Sequence, residues 1–98
     1  MSAYYIISYD VVDQRDYELY ASEVAKLLPN YGASVLFSDN QAVTVEGIHS
    51  QVNAIVVFPS KELALECYHS PEYQEIKKVR LRSVENSRFV LANGLPDL

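Results

Sequence analysis

Five consecutive residues, Ala54-Ile55-Val56-Val57-Phe58, are apolar at every position. Strand side chains alternate between two faces, so a strand built from them needs cover on both sides. The chain has 98 residues, which points to one domain over residues 1–98 and leaves no material for a second core. A chain this short buries only about 60 to 65% of the surface it exposes when unfolded, so part of that cover has to come from outside. A second copy of the chain is the economical source. The 49% hydrophobic share, with eight Tyr and three Phe, excludes a disordered polymer.

The N-terminal run Ala3–Val12 reads as a second two-sided strand. Tyr5, Ile7, Tyr9 and Val11 share one face, and Tyr4, Ile6, Ser8 and Asp10 share the other. Asp13 to Asp16 then supply a helix cap, after which Tyr17, Tyr20, Ala21, Val24, Leu27, Leu28 and Tyr31 recur at three- and four-residue steps. Pro29-Asn30-Tyr31-Gly32 closes that helix. Residues 33–47 predict a strand, a turn at Asp39-Asn40 and a second short strand through Val43 and Val45, followed by a loop over 48–53.

Past the central strand, Pro59-Ser60 stops it and caps a helix whose buried stripe is Leu63, Ala64, Cys67 and Tyr68. Ser70-Pro71 is a second helix start, with Tyr73, Ile76 and Arg80 along one side. Ser87–Ala92 makes the last strand. The β-α-β form thus occurs twice, which is the split βαβ arrangement of an α+β, ferredoxin-like sandwich: one antiparallel sheet with both helices on one face. The other face would leave Tyr, Ile, Val and Phe open over more than the few hundred Å² that monomers tolerate. Two sheets packed face to face, a homodimeric α+β barrel, resolve this.

A net charge of −5 with eight Lys and Arg argues against nucleic acid, since phosphate contacts need a basic stripe. The one basic cluster, Lys77, Lys78, Arg80 and Arg82, reads as a solvated helix face. No stretch approaches the ~20 apolar residues that span a bilayer, and the start of the chain lacks a signal-peptide pattern. A single cysteine, Cys67, fits a reducing compartment, and a cytoplasmic location is expected. No metal site is expected, because His49 and His69 lack ligands at zinc-helix spacing. With three Gly and no phosphate-cradling loop, no nucleotide cofactor is expected either.

The densest cluster of reactive side-chain types is Cys67-Tyr68-His69-Ser70-Pro71-Glu72-Tyr73-Gln74. His69 stands at the break between two helices, as a proton carrier in a cleft or as a turn histidine capping the helix before it. Ser70 reads as a cap, for no nucleophile elbow surrounds it. Glu72 suits the first turn of a helix, and Tyr73 can bury its ring while its hydroxyl finds a partner. Arg80 lies two turns beyond Tyr73 on the apolar side, so it needs an anion: a carboxylate such as Asp10 or Glu46, or a ligand. Asp10 is either a general base in an apolar cavity or the cap of the following turn. The candidate set is therefore His69 and Asp10 for catalysis, with Arg80 and Tyr73 for ligand binding.

From Phe58-Pro59-Ser60 through Tyr68-His69-Ser70-Pro71-Glu72-Tyr73-Gln74 to Arg80, the chain resembles the DUF1330 family. Asp10, Asp13, Tyr20, Tyr31-Gly32 and Val45-Glu46-Gly47 extend the likeness over nearly the full length. The resemblance implies a ferredoxin-like dimeric α+β barrel and no established activity; its structural neighbours include cofactor-free monooxygenases and ligand-binding proteins. Ala33, Asp39-Asn40, Asn53 and Ala92-Asn93-Gly94 depart from the family pattern. Two functions follow as expectations. One is a dimer that binds a small organic molecule, anionic or aromatic, with cofactor-free proton-transfer or monooxygenase-like turnover; the other is a non-catalytic binding or assembly module.

Overall fold

The computed structural model describes residues 1–96, so the last two positions of the expected 1–98 domain lie outside the described residues. Eight elements follow in order: β1 (Ala3–Val11), α1 (Gln14–Leu27), a 3-10 turn (Leu28–Tyr31), β2 (Ser34–Asp39), β3 (Val52–Phe58), α2 (Lys61–His69), α3 (Pro71–Ser83) and β4 (Val84–Asn93). The strands form one antiparallel sheet in the order β2-β3-β1-β4, the ferredoxin-like α+β topology.

The caps act where the sequence places them. Asp13 accepts from the Asp16 N–H at 3.0 Å to start α1, and Ser60 accepts from the Leu63 N–H at 3.2 Å to start α2. After the 3-10 turn, Gly32 takes the left-handed φ of 66° and packs under Pro59, whose ring a Cβ there would meet at 3.0 Å.

Along β3 burial alternates strictly, with Val52, Ala54, Val56 and Phe58 beneath the helices and Asn53, Ile55 and Val57 on the far side. Register then sets the two faces. Tyr5, Ile7 and Tyr9 lie across from Val56, Ala54 and Val52, while Ile6 lies between Ile55 and Val90 on the open face. No helix covers that face, and Ile6 is 44% exposed there.

The expected hairpin over 33–47 does not form. β3 begins at Val52 and takes the inner edge of β2 directly, so the run through Val43 and Val45 pairs with nothing and leaves the sheet as an arm over residues 40–51. Val43, Val45 and Ile48 on that arm are 86%, 89% and 97% exposed. Its shape is held by polar contacts: the Gln41 N–H donates to Asp39 at 2.8 Å, Thr44 and His49 are bonded at 2.8 Å, and Asn53 Nδ2 donates to the Ser50 carbonyl at 3.1 Å. Among the described residues, no helix is long and apolar enough to cross a membrane.

Candidate functional site

Ser70 builds the site's rear wall. Its Oγ accepts from the Tyr73 N–H at 3.1 Å as the cap of α3 and donates to the Cys67 carbonyl at 2.7 Å as the end of α2. With Pro71 at the first helical position, the turn between the helices is rigid, and Tyr73 projects inward one turn later. Its hydroxyl meets that of Tyr20 from α1 at 2.8 Å, both rings buried. Tyr9 of β1 donates to the Tyr17 hydroxyl at 3.0 Å. Four phenol groups thus converge from the sheet, α1 and α3.

Arg80 lies behind them, two turns past Tyr73 and only 4% exposed. Its guanidinium carbon sits 4.1 Å from the centroid of the Phe89 ring, a cation–π stack. Among the described residues Arg80 enters no ion pair, and its buried Nε has no hydrogen-bond partner.

In front of the tyrosines is a cavity of about 40 Å³ whose walls include Tyr5, Tyr20, Cys67, Tyr68, Tyr73 and Phe89. It shares Ile7, Tyr20, Val24, Val56 and Phe89 with a cleft of about 130 Å³ running along α1. The lining is almost wholly apolar. On the opposite side, Tyr5, Tyr68 and Phe89 also wall a recess of about 240 Å³ bordered by His69.

Burial dominates the electrostatics. It pushes the Cys67 thiol up to about 11 and the Tyr5 hydroxyl up to about 12. Tyr9, Tyr20 and Tyr73 are likewise raised by burial; Arg80 opposes the rise in all three without cancelling it. All of these groups are neutral near pH 7. The tyrosines around the Arg80 guanidinium thus supply it with no counter-charge.

Of the residues expected from the sequence, the structure brings Tyr73 and Arg80 together and leaves the other two apart. His69 is exposed, its ring edge-on to Tyr68 at 5.2 Å, and a wall of Tyr5, Tyr68 and Phe89 separates it from the cavity. Asp10 is on the open face of the sheet, across the strand from the helices. It accepts from the Gln51 N–H at 2.8 Å and from Asn86 at 3.1 Å, and these bonds lower its pKa. The general base in an apolar cavity is thus not what Asp10 is: the Gln51 N–H at the start of β3 and the amide of Asn86, which takes a left-handed φ of 56°, hold its carboxylate on the open face. Neither Asp10 nor Glu46 pairs with Arg80; both line a polar recess on the far face with His49 and Arg88. Among the described residues, no three His, Cys, Asp or Glu side chains converge to hold a metal ion.

Tyr9, Tyr17, Tyr20 and Phe89 join the site without having been singled out for it. The signal for the three tyrosines was present as an excess of tyrosine on inward faces, where a leucine would bury as well and carry no hydroxyl, whereas Phe89 carried none beyond an apolar strand.

The family model for a domain of unknown function, DUF1330, matches residues 2–95. The chain belongs to the DUF1330 family. No curated protein matches it by sequence. In structure it is similar to the RPA0582 protein of unknown function from Rhodopseudomonas palustris, with a TM-score of 0.79 at 18% identity, covering 98% of this chain and 84% of that one. A dimeric ferredoxin-like protein of unknown function from Jannaschia sp. CCS1 superposes with a TM-score of 0.77 at 12% identity, covering 96% and 100% of the two chains. SnoaB, a cofactor-independent oxygenase from Streptomyces nogalater, does so with a TM-score of 0.66 at 12% identity, covering 99% and 96%. These likenesses show the ferredoxin-like fold. The departures from the DUF1330 pattern at Ala33, Asn40, Asn53 and Asn93 lie at the ends of strands and in the arm, away from the cavity walls.

Proposed function

We propose that this DUF1330 chain is a homodimeric binding protein for a small organic molecule, held between α1, α3 and the sheet with Tyr73 and Arg80 as its polar end. The observation that carries the reading is an apolar cavity set directly beside a second cleft, the two sharing Ile7, Tyr20, Val24, Val56 and Phe89 as walls. An apolar cavity of about 150 Å³ can hold a benzene ring. The 40 Å³ cavity and the 130 Å³ cleft each fall below that size, so the ligand has to span both, its head in the cavity and its body in the cleft. The uncovered apolar sheet face and the dimeric state of the Jannaschia neighbour support assembly through the sheet.

Titration with benzyl alcohol, followed by protein NMR, tests the binding site. Shifts are expected at Tyr20, Tyr73 and Phe89, and Val24→Phe, which fills the cleft, is expected to abolish them. Unchanged binding in folded Val24→Phe would overturn the assignment.

A second reading, cofactor-free turnover by proton transfer, would place the substrate in the recess of about 240 Å³ that His69 itself borders, outside the wall of Tyr5, Tyr68 and Phe89. One neighbour of this fold, SnoaB, is a cofactor-independent oxygenase. Under that reading His69→Ala removes turnover and leaves binding; under simple binding it changes neither.

A further inference from the structure

We infer that the ligand is an apolar-bodied organic monoanion whose charged oxygen is received by the Tyr20–Tyr73 hydroxyl pair with the Arg80 guanidinium directly behind it. This rests on the binding site proposed above and specifies what fills it.

Proton counting gives the first half of the argument. The Tyr20 and Tyr73 hydroxyls are joined by one hydrogen bond of 2.8 Å. Two hydroxyls hold two protons, and one bond uses one of them, so a second proton remains to be donated outward. Both rings line the cavity, so the hydroxyl pair stands behind its apolar wall, where a head group that parts the rings meets that proton first. Tyr9 donates to Tyr17, which leaves the Tyr17 proton over in the same way at the cleft. A site offering spare O–H donors and almost no acceptors selects for an acceptor.

Charge gives the second half. Arg80 is 4% exposed, has an unpartnered Nε and makes no ion pair among the described residues. Stacking on Phe89 stabilises it from one side but cannot neutralise it. A buried guanidinium with no anion raises the local potential, and a hydroxyl polarised by it donates more strongly to an anion than to a neutral oxygen. Tyr20, Tyr73 and Phe89 wall the cavity and also surround Arg80, so the potential acts where the ligand's head sits. The cavity is too small for a multiply charged head with its hydration, which makes the anion a single carboxylate or enolate-type oxygen group on an apolar body.

Benzoate and the similarly shaped neutral benzyl alcohol, titrated separately into the full chain by NMR or calorimetry, form the test, with inorganic phosphate as a competitor. Benzoate is expected to bind at least about tenfold more tightly than benzyl alcohol, the size of one added charge-assisted hydrogen bond. Arg80→Met is expected to bring that ratio to about one, and Tyr73→Phe to reduce it several-fold. Should Arg80→Met fail to fold, Tyr73→Phe, which keeps the ring, carries the test alone. Equal affinity for both probes in the unmodified chain would overturn the anion assignment and leave the pocket standing. So would a benzoate preference that survives in the folded variants, or competition by phosphate as effective as benzoate itself. Failure of both probes to bind would remove the pocket and this inference with it.

Discussion

Arg80→Met separates a ligand-anchoring arginine from a structural one through stability alone, without any ligand. Methionine reproduces the length of the arginine stem, so the change deletes the charged head together with its stack on Phe89. Three contributions decide the sign. The orphaned Nε costs about 1–3 kcal/mol, and keeping the guanidinium out of water costs several more after relaxation. Against these, the Phe89 stack returns about 2 kcal/mol, and the interaction with the Tyr73 hydroxyl returns about 1.5–3 kcal/mol. The balance makes Arg80→Met neutral to stabilising by about 2 kcal/mol in the unliganded protein, whereas an average buried substitution loses about 1 kcal/mol. For a domain of this size each kcal/mol moves Tm by about 4–8 °C. Urea denaturation followed by far-UV circular dichroism, at fixed protomer concentration so that dimerisation does not move the midpoint, measures the difference. A loss of about 3–5 kcal/mol is what removing one member of a buried ion pair costs. That result would show that Arg80 has an anionic partner within the assembled protein, and the reasoning from an unpaired guanidinium would fail.

Stability is expected to fall as pH rises above about 9. Cys67 and the buried tyrosines ionise in the unfolded chain at ordinary values of 9.0 and 10.0 but hold their protons to about 11 and 12 for Cys67 and Tyr5 in the fold, so the unfolded state binds fewer protons across that window. A urea midpoint at pH 11 equal to that at pH 7 would contradict this. Ser70→Ala removes the cap of α3 and leaves the Tyr73 N–H buried without its acceptor, for a loss of about 1–2 kcal/mol in the same assay. The Cys67 carbonyl keeps the Ser70 N–H at 3.2 Å, which limits the damage. Ile6→Glu places a charge at the centre of the open sheet face, between Ile55 and Val90, and is expected to turn a dimer into a monomer by light scattering. A variant that stays dimeric would move the interface elsewhere.

Much of this fold is legible in the residues because local physics and the tertiary structure agree there. Ser60 and Ser70-Pro71 start helices, Gly32 ends one turn, and the two-sided run at 54–58 lies in β3, one of the sheet's two inner strands. The arm is where they part. Val43 and Val45 have the composition of a strand, but strand composition only describes a pleated surface in need of a partner, and β3 had already taken β2's edge.

The Ser-Pro restart and the two-turn spacing along α3 determined that Tyr73 and Arg80 would share a face, because a helix repeats every 3.6 residues whatever surrounds it. What those two residues meet was decided only by the fold. Asp10 is on a strand next to the site in sequence terms, yet alternation turns its side chain to the far face, where Gln51 and Asn86 hold it. His69 lies four residues before Tyr73, yet it falls outside the wall that Tyr5, Tyr68 and Phe89 make. Tyr9 of β1, Tyr20 of α1 and Phe89 of β4 close around the guanidinium instead. Side-chain periodicity is a property of one segment; which charge goes unpaired depends on every segment at once.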